Sequence, residues 1–266
     1  MKIAIVGCGN MGMAFARSFL QYNLVRKEDL LLIEKNQERS EALRTAKEGA
    51  VVSVINSQVA DYELIILSVK PQDFASVVAE LRAVVQPHQV VLSIMAGIPM
   101  AKIQSLLNHQ SVVRAMPNTP AMLGMGITGF TASPEVDAPK LRKVENLINA
   151  TGRSVYLEDE SMIDAVTALS GSGPAYFYYI VKHMIEAGKA MGFDEGMASL
   201  LVKQTMFGSY HLMNTAEQSL DNLIKAVASK GGTTEAALRV FEENQLSESL
   251  VKGILAAEKR AKELSN

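Results

Sequence analysis

The residues best placed for chemistry begin at the N-terminus, where Gly7, Gly9 and Gly12 stand in the spacing GxGxxG. They follow the apolar run Ile3–Val6 and precede a pattern with Met11, Phe15, Phe19 and Leu20 on one face. Strand, glycine turn and helix therefore come in the order that gives the spacing a meaning. Gly7 makes the tight turn, Gly9 leaves room for a pyrophosphate at the backbone, and Gly12 lets the helix lie close on the strand. Cys8, Asn10 and Met11 share that turn and helix start, whose N–H groups and partial positive charge suit phosphate. The ligand predicted is a dinucleotide. Glu34 follows at close to the roughly 20-residue spacing of the acid that binds a ribose 2′-hydroxyl. Lys35, Asn36 and Arg39 beside it suit a 2′-phosphate instead, so the choice between NADH and NADPH stays open.

Further groups fall where strands should end. Ser68-Val69-Lys70-Pro71 closes one apolar run; Pro71 keeps the residue before it extended and starts a turn. Lys70 then projects toward the pyrophosphate and the nicotinamide ribose. Met95-Ala96-Gly97 closes the next run with small residues where a nicotinamide ring passes, and Met116-Pro117-Asn118-Thr119-Pro120 the one after, with amide and hydroxyl groups on a proline-fixed backbone. In the second half, Ser170-Gly171-Ser172-Gly173-Pro174 and Ser229-Lys230-Gly231-Gly232-Thr233-Thr234 each place glycines and hydroxyls before a helix. The latter has the form of an anion cradle suited to a carboxylate. Each also reads as a helix–turn–helix joint with capping hydroxyls.

These groups need a scaffold. Residues 1 to about 116 alternate short apolar runs (3–6, 30–33, 51–52, 64–69, 90–94, 112–116) with helical segments (37–48, 74–85, 100–107). That alternation predicts a parallel, doubly wound sheet with right-handed crossovers. Ligands bind such a sheet beyond the carboxyl ends of its strands, where the groups above lie. After a helix at 135–150 and a short strand at 154–157, almost everything reads as helix. Segments 174–191 and 197–213 are apolar on most faces, which predicts deep burial. So few helices offer little interior, so a second copy of the chain is expected to cover them in an interleaved dimer.

The totals agree. With 266 residues and 48% hydrophobic content, the chain has room for a core and for two domains. A net charge of −2 provides no global field toward nucleic acid or membrane. No apolar run reaches the roughly 18 residues of a membrane span, and the N-terminus runs directly into a strand without a signal-peptide layout. The one cysteine, Cys8, excludes an intrachain disulfide and fits a reducing cytoplasm. The 4 histidines show no ligand spacing, so no metal site is expected.

Taken together, the segments 7–12, 68–72, 116–120, 168–176 and 231–234 resemble the pyrroline-5-carboxylate reductase family, and the resemblance covers essentially the whole chain. It implies a Rossmann-type domain, residues 1–158, followed by an all-helical dimerisation and substrate domain, residues 159–266. It implies a homodimer through the helical domain, and leaves open whether dimers assemble further. The reaction implied is hydride transfer from NADPH or NADH to the C=N bond of 1-pyrroline-5-carboxylate, giving L-proline in the last step of proline biosynthesis. Thr234 would then hydrogen-bond the ring nitrogen, and Gly231, Gly232, Thr233 and Thr234 with Ser229 would hold the substrate carboxylate. Asn56, Ser68, Val69, Lys70, Pro71, Met95, Ala96, Gly97 and Asn118 would contact the cofactor, and Glu160 would be an acid near the substrate. Lys230 departs from the proline usual in the family, and Ala226 replaces a polar residue. Both bear on substrate affinity. A reductase of another small cyclic imine, or a nucleotide-binding relative without turnover, are the rival readings.

Overall fold

The computed structural model describes residues 1–265. Eight strands form one sheet: β1 (Ile3–Val6), β2 (Leu30–Ile33), β3 (Ala50–Val52), β4 (Leu64–Leu67), β5 (Val90–Ser93), β6 (Val112–Met116), β7 (Gly126–Ala132) and β8 (Gly152–Tyr156). Their order is β3-β2-β1-β4-β5-β6-β7-β8. The first six are parallel, and the reversal of strand order beside β1 is the doubly wound signature. Five helices accompany the sheet: α1 (Asn10–Gln21), α2 (Gln37–Ala46), α3 (Phe74–Leu81), α4 (Met100–Leu107) and α5 (Ala138–Asn149).

The apolar runs are continuous because both faces of the sheet are covered. Ile3, Ile5, Leu30, Leu32, Leu64 and Ile66 pack with Phe15 and Phe19 of α1 and with Leu147 and Ile148 of α5. The alternate residues Ala4, Val6, Leu31, Ile33, Ile65 and Leu67 pack with Phe74 and Val77 of α3 and Ile103 and Leu107 of α4.

The parallel arrangement expected for residues 1 to about 116 is found, and β7, which the sequence reading does not place, runs antiparallel to β6. A tight turn over Thr119–Leu123, closed by Gly124 in the left-handed region at φ +68°, returns the chain to the same edge, so no crossover helix is needed. Strand β8 then pairs parallel to β7.

The helical half comprises α6 (Met162–Val166), α7 (Gly173–Ala190), α8 (Glu195–Thr215), α9 (Leu220–Val227), α10 (Thr233–Glu243) and α11 (Leu246–Ser265). Between α6 and α7 the chain makes one wide turn, with the Ser172 N–H donating to the Thr167 carbonyl at 2.8 Å. Backbone proximity groups Met1–Pro174 with the C-terminal stretch from Ala257, and sets Ala175–Ala256 apart as a second compact unit. Within that second unit α7 and α8 pack closely: a Cβ on Gly188 would stand 2.9 Å from the Ala198 Cβ. The deep burial expected for these two helices is not found within one chain. Phe177, Tyr178 and Tyr179 are 60–66% exposed, and Leu200, Phe207, Tyr210 and Leu212 are exposed as well. Among the described residues no helix is long and apolar enough to cross a membrane, and no metal-ligating cluster is present.

Candidate active site

In the first compact unit, the carboxyl ends of β1, β2 and β4 open onto a cleft of about 1160 Å³. Three glycines decide what fits there. Gly7 sits at φ +93°, and a Cβ on it would press to 2.7 Å on the Ser68 carbonyl. Gly12 faces inward, where a Cβ would meet the Gly7 carbonyl at 2.2 Å, so α1 abuts the turn directly. Gly9 faces the other way, with nothing within 4 Å of a Cβ position. The turn is thus closed on its protein side and open on its cleft side, as a pyrophosphate requires. No side chain caps the start of α1, so the first N–H groups of the helix, at Asn10 and Met11, are available to an anion. These residues fit a dinucleotide.

Glu34 is buried, and its carboxylate braces the turn: Oε2 accepts from the Cys8 N–H at 3.2 Å and from Arg39 Nη1 at 3.0 Å, and Oε1 accepts from the Asn36 N–H at 2.9 Å. Asn36 also caps α2, its Oδ1 accepting from the Arg39 N–H. Burial, with the Glu34 charge adding to it, pushes the Cys8 thiol up to about 12, so at neutral pH it is an uncharged packing group. Lys35 lines the cleft but reaches toward α3, where Nζ donates to Glu80 at 2.9 Å and holds that carboxyl below its usual range. Ser68, Val69 and Lys70, at the end of β4, line the same cleft.

Other predicted cofactor residues lie outside the lining. Asn56 is half-buried and caps the turn that follows it, its Oδ1 accepting from the Gln58 N–H at 3.0 Å, and Pro71 starts the turn Pro71–Asp73. Met95 and Gly97 are buried at the end of β5, with Ala96 between them half-buried. Asn118 spends both ends of its amide on the scaffold: Oδ1 accepts from the Ile127 N–H, and Nδ2 donates to Ser170 Oγ. Glu160 accepts from Arg114 Nη1 at 3.0 Å and from the Met100 N–H at 2.7 Å. The sequence reading passed over Met122, Leu123 and Gly124, which also line the cleft. It passed over Arg114 too, although a charged residue inside an apolar strand is a signal in itself.

In the second unit the loop Ser229–Thr234 leads into α10. Gly231 is left-handed at φ +73°, and the Gly232 N–H donates to the Ser229 carbonyl at 2.9 Å. A Cβ on Gly232 would stand 2.9 Å from the Ser229 backbone carbonyl oxygen, so the fold-back favours glycine there. The Gly231 N–H donates to the Glu235 carboxylate, so this loop already holds a carboxylate on its backbone at a helix N-terminus. Thr233 and Thr234 form the first turn of α10, and Lys230 is exposed.

Comparison with known proteins agrees with both halves. A family described as pyrroline-5-carboxylate reductase dimerisation matches residues 160–264. A family described as NADP oxidoreductase, coenzyme F420-dependent, matches residues 2–97. The pyrroline-5-carboxylate reductase of Pseudomonas aeruginosa is 36% identical, over 99% of this chain and 97% of its own. That of Haemophilus influenzae is 34% identical, over 98% and 97%. Among solved structures, a pyrroline-5-carboxylate reductase from Coxiella burnetii superposes with a TM-score of 0.88 at 30% identity, covering 100% of this chain and 98% of its own. A Plasmodium falciparum pyrroline carboxylate reductase with NADP bound gives 0.90 at 26% identity, with the same coverage. An open dinucleotide turn and identity of 34–36% over nearly the full length of both chains lead to one conclusion: the chain belongs to the pyrroline-5-carboxylate reductase family.

Proposed function

We propose that this chain is an NAD(P)H-dependent oxidoreductase that reduces the C=N bond of 1-pyrroline-5-carboxylate to give L-proline, the last step of proline biosynthesis. The observation that carries the reading is the glycine loop Ser229–Thr234, whose Gly231 N–H donates to the Glu235 side chain at the start of α10, beside two threonine hydroxyls. The substrate is a small ring bearing a carboxylate next to an imine nitrogen, and the loop matches both groups. Ser229, Gly231, Gly232 and Thr233 take the carboxylate, displacing Glu235, and the Thr234 hydroxyl hydrogen-bonds the ring nitrogen.

Little acid–base machinery is required, because an imine nitrogen is basic enough to take its proton from solvent or from a hydroxyl. When bound, the reduced nicotinamide supplies the hydride that the imine carbon accepts. Gly7, Gly9 and Gly12 seat the pyrophosphate; Glu34, Lys35 and Arg39 meet the adenosine ribose. Ser68 to Pro71, Met95 to Gly97, Asn56 and Asn118 shape the rest of the dinucleotide site. Catalysis then comes mainly from orientation and exclusion of water.

The helical part from residue 159 onward serves as the dimerisation and substrate domain. The protein is a homodimer, with assemblies of dimers beyond it, and its setting is the cytoplasm, where a buried free thiol such as Cys8 persists. The direct test follows the loss of reduced nicotinamide absorbance with 1-pyrroline-5-carboxylate, with NADPH and NADH in parallel. Oxidation with either supports the reading, and oxidation with neither overturns it. Lys230 adds a charge to the substrate loop, and it favours one second reading, a reductase of another small cyclic imine. That reading predicts a better substrate among other ring imines in the same assay.

A further inference from the structure

Arg114 is a charged side chain in an otherwise apolar strand, and it is 2% exposed. Its guanidinium divides its donors between two carboxylates. Nη1 reaches Glu160 Oε1 at 3.0 Å, and Nη2 reaches Asp164 Oδ1 at 3.1 Å. Ser265, in the last turn of α11, donates from Oγ to the same Asp164 oxygen at 2.9 Å and accepts from Nη2 at 3.4 Å. The Met100 N–H donates to Glu160 Oε1 at 2.7 Å, which ties the start of α4 to the same cluster. All of these residues belong to the first compact unit.

Burying a guanidinium and the Asp164 carboxylate, with Glu160 only partly buried, carries a large desolvation cost, so such a cluster is weak evidence of net stability. What it fixes is more informative. Arg114 is the register partner of Ser93, the last residue of β5, and Glu160 anchors Met100. The cluster therefore holds both ends of the segment 94–99. In the middle of that segment Gly97 sits at φ +69°, and a Cβ there would stand 3.0 Å from the Leu264 Cβ and 3.1 Å from its carbonyl oxygen. The last turn of α11 lies directly on the Gly97 backbone, and Ser265 pins that turn to the cluster.

We propose that Arg114, Glu160, Asp164 and Ser265 are positioning residues that press the C-terminal turn of α11 onto Gly97, so that this turn backs the nicotinamide end of the dinucleotide site. The inference rests on the reading of Met95 to Gly97 as the nicotinamide wall. Its test uses the intact homodimer and two binding probes. NADPH reports on the whole site through its nicotinamide fluorescence. 2′-Phospho-ADP-ribose carries the same adenosine end and no nicotinamide.

With Ser265→Ala, and with a chain ending at Glu263, NADPH affinity is expected to fall about tenfold, the scale of a lost hydrogen bond to a charged group. Affinity for 2′-phospho-ADP-ribose is expected to stay within about twofold, and Ser265→Thr, which keeps the hydroxyl, to restore NADPH binding. Unchanged NADPH affinity in both variants, or an equal loss of both probes, overturns the proposal. Both readouts are independent of the imine, so an unaltered enzyme that binds NADPH but leaves 1-pyrroline-5-carboxylate unreduced would sink the proposed reaction and not this inference.

Discussion

Glu34 serves two demands on one carboxylate. It braces the glycine turn through the Cys8 N–H, and it holds Arg39 at the mouth of the cleft. A ribose 2′-hydroxyl needs only an acceptor, which Oε1 retains beside the Asn36 N–H. A 2′-phosphate needs a cation, and the planar guanidinium of Arg39, paired with Glu34 but about half exposed, has further donors for it. Arg39→Ala is therefore expected to raise the KM for NADPH about tenfold while leaving that for NADH within about twofold. Steady-state kinetics with each cofactor measure the ratio, and a parallel change in both would remove Arg39 from cofactor choice. Thr234 makes a separate claim at this scale. If its hydroxyl orients the imine nitrogen, Thr234→Ala lowers kcat by roughly 10- to 100-fold with little change in cofactor affinity. Unaltered turnover would take the role from it.

At the scale of elements, strand β1, its glycine turn and helix α1 form one device whose parts respond differently to the same substitution. Alanine at Gly12 would drive a Cβ to 2.2 Å from the Gly7 carbonyl, and the backbone must move. Overpacking of this kind costs about 1–3 kcal/mol, so a lowered thermal midpoint is expected together with loss of dinucleotide binding. Alanine at Gly9 meets no protein atom within 4 Å. Its melting is expected to be unchanged while dinucleotide affinity falls at least about tenfold, because the methyl stands where the pyrophosphate approaches. Equal destabilisation by the two changes, measured by thermal melts with and without NADPH, would contradict this division of labour. Much of this device was legible in the sequence, because strand, turn and helix are local and their spacing states the contact. Strand β7 was not. Its sequence, GITGFTA, has two glycines and two threonines, and Thr128 and Thr131 are buried, so the usual apolar run is missing. The scaffold roles of Asn118 and Glu160 were equally hidden, since their partners at Ser170 and Arg114 lie 52 and 46 residues away.

The whole molecule poses the question that one chain leaves unanswered: what covers α7 and α8. Sequence periodicity showed helices apolar on most faces, and burial was the physical conclusion. In the single chain Phe177, Tyr178, Tyr179, Leu200, Phe207, Tyr210 and Leu212 remain exposed on these two helices of the second unit. A freely soluble monomer rarely leaves so many large apolar side chains exposed on two neighbouring helices. Residues 160–264 match a dimerisation family, and a two-fold pair that seated a second copy on these faces would bury the same residues on both chains. One substitution then acts twice per dimer. Phe207→Glu places two unpaired charges in the interface, and each buried charge without a partner is costly enough to oppose assembly. Light scattering on the unaltered protein is expected to give at least twice the mass of the chain, down to low concentration. The Phe207→Glu variant is expected to shift toward monomer or to aggregate through the uncovered faces, with reductase activity lost in proportion. A monomeric unaltered protein with full activity would show instead that these faces serve something other than self-association.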